Sequence, residues 1–187
     1  MINLMRTRST PDCRIACIAF VLCLIVRTAF ASPVYGTYYN ERYSFSIVYP
    51  SQILVPGRPP DNGDGRQFTS KNGEIVLTAS GRLNIFEDSI ATLYSNDKSD
   101  ADPHPGNFKV TYEVLRSTWY AYSGYANGKV YYEKAFLTKG ATPDTAVIHT
   151  MIFVYPKSQS PYFDPIVAEM SHSFHACSSP EGATLVG

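Results

Sequence analysis

Cysteine is nearly missing from the body of this 187-residue chain. Of four cysteines, Cys13, Cys17 and Cys23 crowd the N-terminus and only Cys177 lies beyond it. A single cysteine cannot close an internal disulfide, so a cysteine-stapled extracellular scaffold is excluded and stability has to come from packing. No Asn-x-Ser/Thr acceptor occurs anywhere, which fits a bacterial exported protein better than a eukaryotic one. There is no Gly-x-Ser-x-Gly elbow, no phosphate-binding glycine loop and no His-Glu-x-x-His helix, so no familiar catalytic motif is present. A long apolar run is also lacking. The longest, residues 15–26 (IACIAFVLCLIV), is well short of the roughly 20 residues a membrane-crossing helix needs.

That short run has the grammar of a secretory signal instead. Arg6, Arg8 and Arg14 precede it, and Ala29-Phe30-Ala31 comes after it with small residues at the cleavage spacing. Leu22 before Cys23 and Ile15-Ala16 before Cys17 make poor lipoprotein signals. Residues 1–31 are therefore expected to be a signal peptide, and the protein to be exported, periplasmic or secreted, with no membrane span once the signal is cut. Four of the 16 basic residues (Arg6, Arg8, Arg14, Arg27) and one of the 16 acidic ones (Asp12) leave with it. The remaining 12 against 15, a net of about −3, argues against nucleic acid as a partner, which wants a basic surface.

The rest reads as one domain at residues 40–176, after a short lead-in at 32–39 and before a flexible tail at 177–187. Tyr43 to Tyr49 (YSFSIVY) alternates at period two, the mark of a half-buried strand, and Pro50 stops it. Residues 51–55 read as a turn or helical hook. Pro56, Pro59 and Pro60 stiffen the next connection, and Asn62-Gly63-Asp64-Gly65 makes a turn. A strand at 66–70, an Asn72-Gly73 hairpin and a strand at 74–80 come next, with Ile75, Leu77 and Ala79 on one face. Asp88 or Ser89 caps a short helix to about Ser95, and the polar stretch 96–106 reads as a surface loop. Four strand patterns, at 109–116, 118–125, 129–137 and 145–155, are joined closely enough to pair as an antiparallel meander. The last is apolar on both faces and should be central. Asp164-Pro165 is read as the opening of a closing helix whose inner stripe is Ile166, Val167, Met170 and Phe174.

The early strand YSFSIVYP at 43–50, the run PPDNGDGRQFTS at 59–70, the meander and the closing helix together resemble the PsbP/Mog1 fold, and in particular uncharacterised exported bacterial proteins of that fold. The resemblance covers most of residues 40–174, with specific motifs in about thirty of them. It implies an α+β domain in which a mostly antiparallel central sheet carries helices on both faces, an α/β/α sandwich. It also implies export. It assigns no function: PsbP proteins support photosystem II, Mog1 proteins bind the GTPase Ran, and no functional residue of either transfers here.

Candidate sites are weighed residue by residue. Asp61 to Gly65 invites a calcium reading. Gly65 at the sixth place of an EF-hand loop, however, puts Pro60 at the first and Lys71 at the twelfth, so that reading fails. Glu169, His172 and His175 share helical spacing without a nameable fourth ligand, and His175 with Cys177 sits at a helix end. His149 alternates with apolar neighbours and reads as a packed histidine. Glu113 and Glu133 are either an acid–base pair or cross-strand partners of Lys109 and Lys134. The aromatics, 14 Tyr, 10 Phe and one Trp, are densest at Trp119-Tyr120-Ala121-Tyr122, where rings serve a sheet core or a binding surface equally well. The reading taken forward is an exported binding or accessory domain of unknown ligand, partner and oligomeric state. Its contact residues are Asn62, Asp64, Arg66, Trp119, Tyr120 and Tyr122, gathered in an exposed aromatic patch, and no cofactor or metal is called for. The alternative is a small periplasmic hydrolase using Glu113, Glu133 or His149, which requires at least two of them in one pocket.

Overall fold

A computed structural model of the chain describes residues 32–101 and 107–177, all within one compact unit. The expected signal peptide, the end of the 96–106 loop and residues 178–187 of the expected tail lie outside the described residues. Strands β1 (Tyr35–Asn40) and β2 (Phe45–Pro50) form a hairpin, with Asn40 opposite Phe45 and Ser44 at φ 49° in the turn. A larger sheet is built from β3 (Leu54–Pro56), β4 (Gly65–Ser70), β5 (Val76–Leu83), β6 (Lys109–Leu115), β7 (Trp119–Ala126), β8 (Lys129–Thr138) and β9 (Val147–Pro156). The short β10 (His175–Ala176) returns to β2, so the small sheet runs β1-β2-β10 and the large one β3-β4-β5-β9-β8-β7-β6. Every pairing is antiparallel.

The local chemistry explains the joints. Asn127 (φ 51°) and Gly128 (φ 75°) both take the left-handed backbone that a two-residue hairpin demands, and β7 turns into β8 there. At Gly81, across from His149 in β9, the ring of Tyr43 lies so close that an added Cβ would stand 2.7 Å from it. That close approach seats the β1–β2 hairpin against β5. Strand β9 is the fourth of seven and buries its odd-numbered residues from His149 to Tyr155, which makes it the spine of the core.

Period-two alternation divides that core. One cluster joins Phe45 and Ile47 to Leu77, Ala79, Ala121, Met151 and Phe153, and to Phe163, Ile166 and Met170 of helix α2 (Ser160–Ser173). A second, separate cluster joins Ile90 and Leu93 of helix α1 (Ile90–Asp100) to Tyr120, Tyr122, Ala135 and Ile148. Ser89 caps α1 as expected, its Oγ accepting the Thr92 N–H at 3.1 Å.

Several expectations need correction. Among the described residues there are two antiparallel sheets and two α-helices; α1 packs on one face of the large sheet, and α2 shares the other with the small sheet, a second sheet that the expected arrangement of one central sheet did not include. Tyr35–Asn40, read largely as a lead-in, is a strand because β2 offers it a full ladder. Residues 51–53 form the expected turn, and Leu54–Pro56 follow as the short strand β3 rather than a helical hook. Residues 96–100, read as loop, continue α1. Helix α2 starts a turn before Asp164, with Pro161 in its first turn and Pro165 inside. Pro165 costs only the bond to the carbonyl four residues back, close to the helix start, and Asp164 accepts the Tyr155 hydroxyl at 2.8 Å instead of capping. His175 and Ala176 belong to β10, and Cys177 N–H donates to the Ser44 carbonyl at 2.7 Å, so the ordered chain runs past the helix.

Candidate functional site

Beneath α1 the large sheet carries a cluster of phenols around one carboxyl. Alternation turns Tyr120 and Tyr122 of β7 to the same side as Tyr131 and Glu133 of β8, and Tyr122 stands directly across from Glu133. Glu133 is only 2% exposed. Its Oε1 lies 2.9 Å from the Tyr120 hydroxyl, and its Oε2 accepts from Tyr122 at 2.8 Å and Tyr131 at 2.7 Å. From above, α1 adds Asp97. The Tyr120 hydroxyl reaches its Oδ2, and the Tyr122 hydroxyl lies 2.9 Å from its backbone carbonyl. The rings of Tyr120, Tyr122 and Tyr131 stack in sequence, with Tyr94 and Phe108 edge-on to them. An open cleft of about 420 Å³ reaches the cluster between Arg82, Asp97, Asp100, Tyr131 and Glu133.

Burial, reinforced by the Asp97 charge, pushes the Glu133 carboxyl up to about 7, against the pull of the three phenols. The same burial, with Glu133 beside them, pushes all three phenols far up, so they are donors and not bases. Glu113, one strand beyond Tyr122, is exposed and bound to helix residues. Lys98 Nζ donates to it at 2.6 Å and the Tyr94 hydroxyl at 2.5 Å, contacts that hold its carboxyl below the usual range.

The opposite face has other chemistry. His149 is buried, stacked on Phe136 with centroids 4.5 Å apart and met edge-on by Phe45. Its Nε2 lies 3.0 Å from Thr138 Oγ1, and its Nδ1 is buried without a partner. Burial holds its pKa down at about 4, so the ring is neutral. Nearby, Trp119, Phe136 and Phe174 wall an open groove of about 280 Å³, with Lys134, Thr138 and His175 around it. The Lys134 ammonium stands 5.7 Å from the Trp119 ring and donates to the Ser171 carbonyl (2.5 Å) and the Phe174 carbonyl (3.4 Å), capping the end of α2.

The expected contact residues are therefore spread out. Asn62 and Asp64 bond each other at 2.6 Å in the turn before β4. Asn40 donates to Gly63 O at 2.9 Å and the Arg42 guanidinium reaches Asn62 O, while Arg66 lies over the Tyr38 ring. Three strands separate β4 from β7, roughly 19 Å at the usual spacing. Trp119 is half-buried, and Tyr120 and Tyr122 face the other way with no exposed surface. No single exposed aromatic patch joins them. Neither expected glutamate–lysine pair across the strands forms: Lys134 caps α2 on the far face and Lys98 takes Glu113. Glu113 and Glu133 do not meet, His149 is on the other face, and the cleft holds only Glu133 of the three. The hydrolase arrangement is not assembled. His175 sits in a strand, so it does not continue the face of Glu169 and His172, and among the described residues no three metal-ligating side chains come together.

Sequence reasoning passed over Tyr131 and Asp97. Tyr131 and Glu133 share a parity with each other in β8, which a period-two reading contains. Asp97 was hidden by ending α1 too early.

Comparison of the sequence with protein-family models gives no match, and comparison with curated protein sequences gives none either. Among solved structures, the chain is similar to the solution structure of cyanobacterial PsbP (CyanoP) from Synechocystis sp. PCC 6803. The TM-score is 0.55 and the identity 12%, over 79% of this chain and 95% of that one. A likeness with TM-score 0.43 and 10% identity, over 80% and 88%, is found with LpqN, described as involved in cell envelope biogenesis of Mycobacterium tuberculosis. The fold is PsbP-like. No helix among the described residues is long and apolar enough to cross a membrane.

Proposed function

We propose that this chain is an exported accessory domain of the cell envelope that binds a protein partner without catalysing a reaction, and that the Trp119 groove is its principal contact surface. One observation carries this reading. The groove is walled by Trp119, Phe136 and Phe174, while the polar groups beside it are engaged within the fold, Lys134 at the α2 end, Thr138 beside His149 and His175 through Nδ1 at the Ser173 carbonyl. An apolar recess with its polar neighbours engaged suits an inserted apolar side chain. The ionisable groups elsewhere support the same reading, since Glu113 is tied to Lys98, Glu133 to three phenols, and His149 is neutral among rings. The Asn62–Asp64–Arg66 turn, with Asn62 exposed and Asp64 and Arg66 half-buried, is proposed as a second, separate contact. Tyr120 and Tyr122 act from within, by holding the sheet that presents Trp119.

The test is capture of partners from the envelope fraction of the native host, with the chain and its Trp119→Ala variant as baits and the melting temperature of each measured alongside. A stoichiometric partner held by the unsubstituted chain and lost with Trp119→Ala, at little change in melting temperature, is the expected result. Equal loss of stability and capture, or capture that ignores the substitution, overturns the assignment of the groove.

A further inference from the structure

The cluster under α1 contains a proton-counting problem that the packing alone does not answer. The Tyr120 hydroxyl lies within bonding reach of both Asp97 Oδ2 and Glu133 Oε1 and has a single proton. It can donate to only one carboxyl, and it accepts from the other only when that carboxyl is protonated. Glu133 Oε2 accepts from Tyr131 and lies 2.8 Å from the Tyr122 hydroxyl, which also reaches the Asp97 carbonyl, whereas Oε1 faces Tyr120, so a proton held on Oε1 can be donated to Tyr120. The chain Glu133–Tyr120–Asp97 is then complete and joins the sheet to the last third of α1.

We propose that this chain is a proton-operated latch, closed on α1 while Glu133 holds its proton and released when that proton leaves through the cleft. Once Glu133 is ionised, Tyr120 can satisfy only one of two carboxylates, and the other faces it across a single hydroxyl with its charge uncompensated. The surroundings offer little relief. From α1 come Asp97, Asp100 and Tyr94, all acidic or neutral, and Lys98, which is committed to Glu113 of β6 and to Tyr94. From β7 and β8 come Tyr120, Tyr122 and Tyr131, whose hydroxyls are already engaged. From β9, Ile152 stands opposite Glu133 and Thr150 lines the cleft, neither of them titratable. Among the described residues Arg82 of β5 is the one cation lining the cleft, and its side chain is exposed to water. The weaker partner in this repulsion is the helix. Its buried apolar contacts are Ile90 and Leu93 in its first half, whereas its second half is held by polar contacts, from Asp97 to the hydroxyl cluster and from Lys98 to Glu113. The carboxyl of Glu133, displaced by burial toward neutral pH, puts the transition in an accessible range.

Amide hydrogen exchange on the full chain, read by mass spectrometry at about pH 5.5 and about pH 8.5 and corrected for intrinsic exchange, tests this. Protection over residues 90–100 is expected to fall about tenfold or more at the higher pH while β8 and β9 keep theirs. Glu133→Gln keeps an amide donor toward Tyr120 and carries no charge, so it should hold α1 protected at both. Tyr120→Phe cuts the link and should leave residues 90–100 weakly protected at both. Infrared absorption of a protonated carboxyl should disappear between the two pH values in the unsubstituted chain. Equal protection of α1 at both pH values, a carboxyl band that does not titrate, or a pH response that survives in Tyr120→Phe would each overturn the latch. The last two arms decide the matter even if Glu133→Gln fails to fold.

Discussion

The α2 face and the α1 face of the large sheet are both rich in aromatic rings, yet they handle the polar ends of side chains in opposite ways. Beneath α2 and the small sheet, phenylalanines, Met151 and aliphatic side chains fill most of the space, the Tyr132 and Tyr155 hydroxyls bond Ser171 and Asp164 of α2, and His149 is kept neutral with a ring nitrogen unpartnered. Beneath α1, three tyrosines turn their hydroxyls inward and converge on a buried carboxyl. An apolar layer gains from area removed from water, and pH reaches it only through a buried titratable group such as His149. A layer of converging hydroxyls gains from directed bonds and depends on where one proton sits.

The difference can be broken most forcefully on the apolar side. Phe153 lies wholly buried in the central strand against Phe163 and Tyr155, and Phe153→Ala should cost about 3–5 kcal/mol in denaturant unfolding at any pH where the chain is folded.

Glu133 and His149 sharpen it, because they should titrate stability in opposite directions. Glu133 stands at about 7 in the fold against an ordinary 4.5. Its stabilisation is fully present below about pH 4.5 and lost as pH rises through about 7. His149 stands at about 4 against an ordinary 6.5. Its neutral burial is without penalty above about pH 6.5 and is lost as pH falls through about 4. Each spans on the order of 3 kcal/mol at 1.36 kcal/mol per unit. Between about pH 4.5 and 6.5 the slopes oppose each other, and each group hides the other. Relative to the unsubstituted chain, Glu133→Gln should therefore gain stability steadily as pH rises over 4.5–7. His149→Leu should gain it as pH falls over 6.5–4. Urea unfolding across this range measures both, and parallel curves for the three chains would remove the contrast between the faces.

The smallest of these effects tests how α1 is held. Ser89→Ala removes the N-cap and should cost about 1 kcal/mol, measured by thermal unfolding. If it instead releases the whole helix, shown by loss of tyrosine near-ultraviolet ellipticity, the hydroxyl cluster contributes less to holding α1 than its geometry implies.

Much of this frame is legible in the sequence. The strands of the meander, the two Asn-Gly hairpins, the central place of β9 and the Ser89 cap come from period-two alternation, left-handed turn residues and a hydroxyl at the right offset. These are local rules read over a few residues. The misread stretches have a common cause. Residues 96–100 look like a loop because NDKSD offers no apolar stripe, but α1 does not need one where its floor is made of hydroxyls. Tyr35–Asn40 looks like a leader because its strand character depends on β2 being there to pair with. Asp164-Pro165 looks like a helix start because the capping pattern is genuine, whereas Tyr155 claims the carboxylate.

The sequence by itself determined which residues alternate, where the chain turns and which stretches are apolar enough to be buried, since those depend on neighbours along the backbone. It also placed Tyr120 and Tyr122 on one side of their strand and Trp119 on the other. Only the tertiary structure decided which side was covered by which layer. Three strands came to separate Arg66 from Trp119, and Glu133 met three phenols and a helix carboxylate instead of a lysine. Those outcomes depend on strand order and on contacts between residues far apart in the chain, where a buried charge takes whatever partners the fold brings to it.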